Sequence, residues 1–298
     1  MGSALLALNW VGSAGAFIIS ASAPSGRCCF SSRQRLQSSG SHVPSTISQD
    51  LASQPVISFP GGGIFFWWQA GAITALHERY DLSGTDMVGA SAGALAATLA
   101  ACDADMERAM DLALQLCDDN EVWERPLGLA GVWGGMVREW LDELLPENAD
   151  SICRDHVNLL VLSLWPPGKR QSVSDFTSKA DLIDACMASV HIPYFMNKRF
   201  SARFRGRRYL DGSFRASREA LSLGSHRPTV YLDYSEDEAM AKRGGDFLSL
   251  TNREGLLYMR KRGYDHVQRM GDEGKLHCLN SKATNSRKKT GSRWLADS

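Results

Sequence analysis

The stretch Gly89-Ala90-Ser91-Ala92-Gly93 lies between a short apolar run ending in Met87-Val88 and an alanine-rich run that begins Ala94-Leu95-Ala96-Ala97. A serine at a sharp strand-to-helix turn is pushed out of the fold, and only nearly side-chain-free neighbours let the backbone turn so tightly. Gly89 and Gly93 supply that tolerance, so Ser91 is a candidate nucleophile. The run after Ala92 has strong helix propensity and small residues suited to close packing on a sheet. The N-terminus of such a helix favours negative charge formed beside Ser91.

Upstream of this turn, residues 55–59 are a short β-branched strand pattern that runs into Gly61-Gly62-Gly63, and residues 64–80 follow as a helix. The order is strand, loop, helix, strand, turn, helix, which generates a parallel sheet with helices on its faces. Downstream, helices are expected over 103–117, 136–145 and 180–188, and a long amphipathic one over 252–270. Residues 156–165 form a nearly continuous apolar run, expected to be a buried central strand ended by Pro166-Pro167. Residues 200–214 read as a hairpin turning at Arg205-Gly206, with Tyr209-Leu210-Asp211 on its returning strand, and 229–234 as a further strand.

The chain has 298 residues, 44% hydrophobic and 22% charged, which suits one catalytic domain with extensions. Lys+Arg 33 balances Asp+Glu 33, so no basic field points to nucleic acid. The 7 cysteines include no Cys-x-x-Cys pair; they read as reduced thiols of a reducing compartment, with no metal site and no cofactor implied. Residues 1–53 stand apart. An uncharged, mostly apolar run over 4–19 precedes a serine-rich stretch with Arg27, Arg33 and Arg35 and no acid before Asp50. These are traits of a two-part organelle address, of the kind used by plastids reached through the secretory system, or of a leader with no targeting role. The catalytic domain is expected over 54–278 and a disordered basic tail over 279–298.

Acyl transfer requires a nucleophile, a base for its proton and backbone N–H donors aimed at the oxyanion. Ser91, the amides of Gly61 to Gly63, and Asp211-Gly212-Ser213 are the elements that could supply them. Ser-Phe-Pro-Gly-Gly-Gly (58–63), Gly-Ala-Ser-Ala-Gly-Ala-Leu (89–95), Ala-Ser-Val-His-Ile-Pro (188–193) and Leu-Asp-Gly-Ser (210–213) occur in the order found in the patatin-like phospholipase family of lipid acyl hydrolases, which the chain resembles over residues 56–270. The resemblance implies a three-layer α/β/α sandwich with a mainly parallel sheet, Ser91 as nucleophile, Asp211 as general base, and no catalytic histidine. It also implies a phospholipid or other glycerolipid substrate, met at a membrane or lipid-droplet surface.

The chain departs from the family pattern twice. Phe65-Phe66-Trp67 follow the glycines where a basic residue is common, and Ser213 stands where glycine or alanine is usual. A free aspartate, with a pKa of about 3.9, is a poor base at neutral pH, so Asp211 is expected in a partly dry site that raises it.

Two other readings are open. An α/β-hydrolase would use His226, His266 or His277 with Ser91; of these, His266 reads as a solvated helix residue, while His191 reads as structural. A lipid-binding protein could also keep the fold and lose turnover. Among substrate clues, Phe65 to Trp68 suit an acyl pocket or core packing. The glycine-rich stretch 128–135, flanked by Trp123, Trp133 and Trp140, suits a mobile cap or a packed helix end. Lys198, Arg199, Arg203, Arg205, Arg207 and Arg208, interleaved with Phe200 and Phe204, form either a site for anionic headgroups or a solvated hairpin.

Overall fold

A computed structural model of the chain describes residues 54–165, 168–214, 216–223 and 227–282. The leader, Cys28, Cys29, Pro166-Pro167, His226 and the tail beyond residue 282 lie outside the described residues. In chain order the elements are β1 (Val56–Phe59), α1 (Phe66–Arg79), β2 (Tyr80–Asp81), β3 (Asp86–Ala90), α2 (Ala92–Ala101), α3 (Met106–Asp119), α4 (Trp133–Leu144) and α5 (Ala149–Cys153). There follow β4 (Val157–Ser163), β5 (Lys169–Val173), α6 (Lys179–Ser189), β6 (Ala202–Phe204), β7 (Arg207–Asp211), β8 (Thr229–Tyr231), α7 (Glu238–Ala241), α8 (Arg253–Asp272) and β9 (Asn280–Ser281).

The main sheet is mixed. β8, β1, β3 and β4 run parallel at its centre, while β5, β7 and β6 add antiparallel pairings. Strand alternation sorts the core. Ile57, Phe59, Met87, Val157, Leu159 and Val161 join the large apolar cluster that includes α1 and α2, whereas Val56, Val88, Ala90 and Leu160 meet Leu221 on the other side. The arrangement fits a three-layer α/β/α fold in which a short 3-10 turn, Ala220–Ser222, covers the second face of these central strands.

Helix ends follow their capping chemistry. Asp105 accepts from the N–H groups of Glu107 and Arg108 and starts α3 three residues later than the apolar spacing suggests. Ser178 caps α6 through Asp181 N–H, and Asn252 caps α8 through Gly255 N–H. The hairpin turns where expected, with Arg205 and Gly206 both at positive φ (44° and 74°) as a two-residue hairpin turn demands.

Several expectations need correction. β5 and α5 were not expected; β5 reads Lys-Arg-Gln-Ser-Val, too polar for a core strand, and is held as an antiparallel ribbon on β4. The tail does not begin at residue 279, because Leu279 is buried and Asn280–Ser281 pair with Tyr80–Asp81. His266 is not a solvated residue: it packs 5.1 Å from the Trp68 ring, on the side of α8 turned to α1.

The crossing of α1 and α8 gives a direct stability test. A Cβ added at Gly263 would lie 1.8 Å from the Trp68 carbonyl oxygen, while Gly135, exposed on α4, has nothing within 4 Å of its added Cβ. Gly263→Ala is expected to lower unfolding free energy by about 1–3 kcal/mol. Gly135→Ala should raise it by roughly 0.4–1 kcal/mol. Urea melts of both variants check the pair.

Candidate active site

β4 brings the site together. From Val157 to Leu160 one edge of β4 pairs with β3, ending at Ala90 opposite Leu160. The opposite edge is occupied by β5 from Leu159 to Ser163. β7 pairs with Val161 to Ser163 and must therefore use the same edge as β3, ending at Asp211 opposite Val161. β3 runs parallel to β4 and β7 runs against it, so the two strands meet end to end. Consecutive residues of a strand are about 3.3 Å apart, which delivers Ser91 and Asp211 to one point from opposite directions.

Ser91 leaves β3 with φ 56° and ψ −130°, a conformation rare for a side-chain-bearing residue, and α2 begins at the next residue. The flanking glycines are required by space. A Cβ on Gly89 would sit 2.2 Å from the Gly93 carbonyl oxygen, and one on Gly93 would sit 1.9 Å from that of Phe59. Ser91 Oγ donates to Asp211 Oδ2 at 2.6 Å. Asp211 Oδ1 accepts from Ser213 N–H at 2.8 Å and Ser213 Oγ at 2.6 Å. Asp211 is 2% exposed, and burial pushes its carboxyl above the usual aspartate range, partly offset by hydrogen bonds from Ser213 and Ser91.

Gly212 continues past β7 with its α-carbon pressed on β4, where an added Cβ would lie 1.8 Å from the Leu160 carbonyl oxygen. The glycine loop approaches from the other side. A Cβ on Gly61 would come within 2.6 Å of Ser213 Cβ and 3.1 Å of Ser91 Cβ. Gly63 has φ 56°, and the following Ile64 N–H donates to the Phe247 carbonyl. Among the described residues, no intrachain hydrogen bond uses the N–H of Gly61, Gly62 or Gly63.

Ser189 is the site residue that sequence reading passed over. Its buried hydroxyl accepts from Ser91 N–H at 3.0 Å and donates to the Leu160 carbonyl at 2.7 Å, while its own carbonyl accepts from Gly212 N–H at 2.9 Å. One residue thus ties the ends of β3 and β7 to β4, through its hydroxyl and its backbone carbonyl. The motif Ala-Ser-Val-His-Ile-Pro marked the segment, yet nothing local distinguishes Ser189 from a packing serine.

The histidines lie elsewhere. His191 is buried, with Nε2 3.2 Å from the Arg199 carbonyl, and burial holds its imidazole below the ordinary range. His277 is exposed, its Nδ1 against the Gly274 carbonyl. Ser91 therefore meets a carboxylate directly, not an imidazole. No group of three or more His, Cys, Asp or Glu that could hold a metal ion occurs among the described residues.

An apolar cavity opens beside Ser91, walled by Phe66, Trp67, Leu95, Trp133, Met136 and Trp140. The aromatic run after the glycines divides. Phe66 and Trp67 turn to the cavity and meet Trp140 edge-on, Phe65 stacks on Tyr234 at 4.1 Å, and Trp68 is core, its indole N–H directed to Asp237. The glycine-rich stretch is tethered rather than free, since Gly131 and Gly134 N–H donate to the carbonyls of Phe195 and Met196. The basic hairpin also divides. Arg205 is clamped by Asp175 and Asp181 and lies over the buried Phe204 ring, so it is not a free cation.

Removing the Ser189 hydroxyl leaves Ser91 N–H and the Leu160 carbonyl without that partner. Ser189→Ala is expected to cost about 1–3 kcal/mol of stability and to slow labelling of Ser91 by a fluorophosphonate. Thermal melts and timed labelling measure the two effects.

The family model described as Patatin-like phospholipase matches residues 57–222, more than half of the chain. Among curated relatives, an omega-hydroxyceramide transacylase of Homo sapiens is 33% identical over 164 residues, 53% of this chain and 30% of that protein. A 1-acylglycerol-3-phosphate O-acyltransferase of Mus musculus is 31% identical over 162 residues, 52% of this chain and 38% of its own length. A patatin-like phospholipase domain-containing protein 5 of Homo sapiens is 26% identical over 162 residues, 53% and 37% of the two chains. The matched region thus spans about a third of each of these relatives.

Proposed function

Because the chain belongs to the patatin-like phospholipase family, we propose that it cleaves carboxylic esters of phospholipids or other glycerolipids through an acyl-enzyme on Ser91, with Asp211 as the only general base. The observation that carries this reading is the 2.6 Å contact between Ser91 Oγ and Asp211 Oδ2 at the mouth of an apolar cavity.

The steps follow from the geometry. Asp211 Oδ2 takes the Ser91 proton as Oγ attacks the ester carbonyl. The oxyanion develops where the uncommitted N–H groups of Gly61 to Gly63 and the start of α2 can meet it. Collapse expels the glycerolipid alcohol, which receives the proton from Asp211. Water then attacks the acyl-Ser91 and gives a proton to Asp211, which passes it to Ser91 Oγ as the ester bond breaks and the fatty acid leaves. The acyl chain rests among Phe66, Trp67 and Trp140 in the cavity. Desolvation raises Asp211 into a range where it is a better base than a solvated aspartate.

A second reading keeps the acyl-enzyme and changes the acceptor from water to an alcohol. It is favoured by the names of two relatives, a transacylase and an O-acyltransferase. Product analysis separates them: free fatty acid marks hydrolysis, and a new ester marks transfer.

Access to lipid is supported by the surface around the cavity mouth. Trp123, Leu248 and Leu250 are exposed and line the cavity, and Leu127, 75% exposed, is next to Gly128, whose added Cβ would touch Leu250. Tyr194 and Phe200 lie in ring contact beside the cavity residue Phe195. This rim, formed by three separate segments, would rest on a lipid surface in place of the divided basic hairpin. No helix among the described residues is long and apolar enough to cross a membrane.

Ser91→Ala and Asp211→Asn are each expected to reduce hydrolysis of a phosphatidylcholine panel by at least about 10³-fold. In the wild type, kcat/KM should rise with pH through the raised carboxyl of Asp211, because only the carboxylate accepts the proton. Retained turnover in Asp211→Asn would sink the two-residue mechanism. A folded wild type with no Ser91-dependent labelling would leave a lipid-binding role. Leu127→Asp with Phe200→Asp, both exposed on the rim and outside the cavity lining, should weaken sedimentation with phosphatidylcholine vesicles roughly tenfold or more and leave hydrolysis of a water-soluble short-chain ester intact.

A further inference from the structure

We propose that Ser213 is a positioning residue: its hydroxyl occupies one oxygen of Asp211, leaves the other for Ser91, and so sets the pH range in which the nucleophile is activated. The proposal rests on the acyl-transfer reading above. A carboxylate oxygen has two lone pairs. On Asp211 Oδ1 both are engaged, by Ser213 N–H at 2.8 Å and Ser213 Oγ at 2.6 Å. The proton leaving Ser91 therefore has Oδ2 as its acceptor. Glycine or alanine at position 213 could offer only the backbone N–H.

The hydroxyl is confined as well as bonded. The Gly61 α-carbon faces it so closely that a Cβ there would be 3.0 Å from Ser213 Oγ and 2.6 Å from Ser213 Cβ. Ser213 thus lies between the glycine loop and the base, and a side chain at position 61 would collide with it. The carboxylate plane of Asp211 is held from one side by Ser213 and from the other by Ser91.

The charged neighbours leave this hydroxyl as a main local control. Arg170 of β5 directs its guanidinium to the carbonyls of Gly212 and Phe214. His191, between α6 and the hairpin, turns Nε2 to the Arg199 carbonyl, and Tyr209 of β7 bonds Gln171. α2 and the glycine loop carry no ionisable side chain. Burial raises the Asp211 carboxyl and the hydrogen bond from Ser213 is foremost among those lowering it.

The test is the acid limb of kcat/KM, which reports the free enzyme's base, measured on p-nitrophenyl butyrate for wild type, Ser213→Ala and Ser213→Gly. Loss of a donor to a carboxylate makes protonation easier, so the limb should move to higher pH by about one unit in both variants. Below the wild-type limb the variants should be roughly tenfold slower, while on the high-pH plateau they should stay within about threefold of wild type. Thermal melts identify a variant that fails to fold, in which case the other is read. A limb that coincides with wild type, whatever the plateau rate, overturns the proposal and leaves the hydrolase reading standing. A wild type that neither turns over nor labels at Ser91 overturns both.

Discussion

The site depends on β4 offering one edge to two strands. β3 takes that edge up to Leu160 and β7 takes it from Val161 onward. Neither strand can advance without colliding with the other, and the backbone hydrogen bonds that hold each in register also set the gap between them. Ser189 closes the junction from above with three contacts to three chain segments. The distance between Ser91 and Asp211 is thus a property of the sheet rather than of a loop. Rigid elements hold a reactive pair more accurately than loops do.

Two opposed forces meet at Asp211. Removal from water disfavours the carboxylate, and hydrogen bonds from two serines favour it. The first makes the carboxylate hold a proton more readily than a solvated aspartate does, and the second offsets part of that effect. The apolar cavity reaches this pair from the other partner, since Ser91 lines it and Asp211 does not.

Much of this was legible in residues whose constraint is local. Gly89 and Gly93 are demanded because a Cβ at either would come within about two ångströms of a backbone carbonyl oxygen, and a pattern with small residues there has few alternatives. The hairpin announced itself through Arg205-Gly206, and α1, α2 and α8 through their spacing. β5 was hidden because Lys-Arg-Gln-Ser carries no apolar alternation; its stability comes from the ladder on β4. Ser189 was hidden for a different reason, since its three partners come from β3, β4 and the end of β7, remote from one another in sequence. His266 was misread because it was placed on the charged face of an amphipathic helix, whereas it lies on the side turned to Trp68 of α1.

Because β3 and β7 are counted against the same strand, β4 acts as a ruler for the separation of Ser91 and Asp211. Adding one residue to either strand would reverse its side-chain alternation or force a bulge, and it would do so at the contact between Ser91 and Asp211. Segments that only surround the cavity, such as the stretch from Trp123 to Val132 or that from Phe247 to Thr251, answer to no such count. Length variation in this architecture is therefore free around the cavity and forbidden where Ser91 meets Asp211.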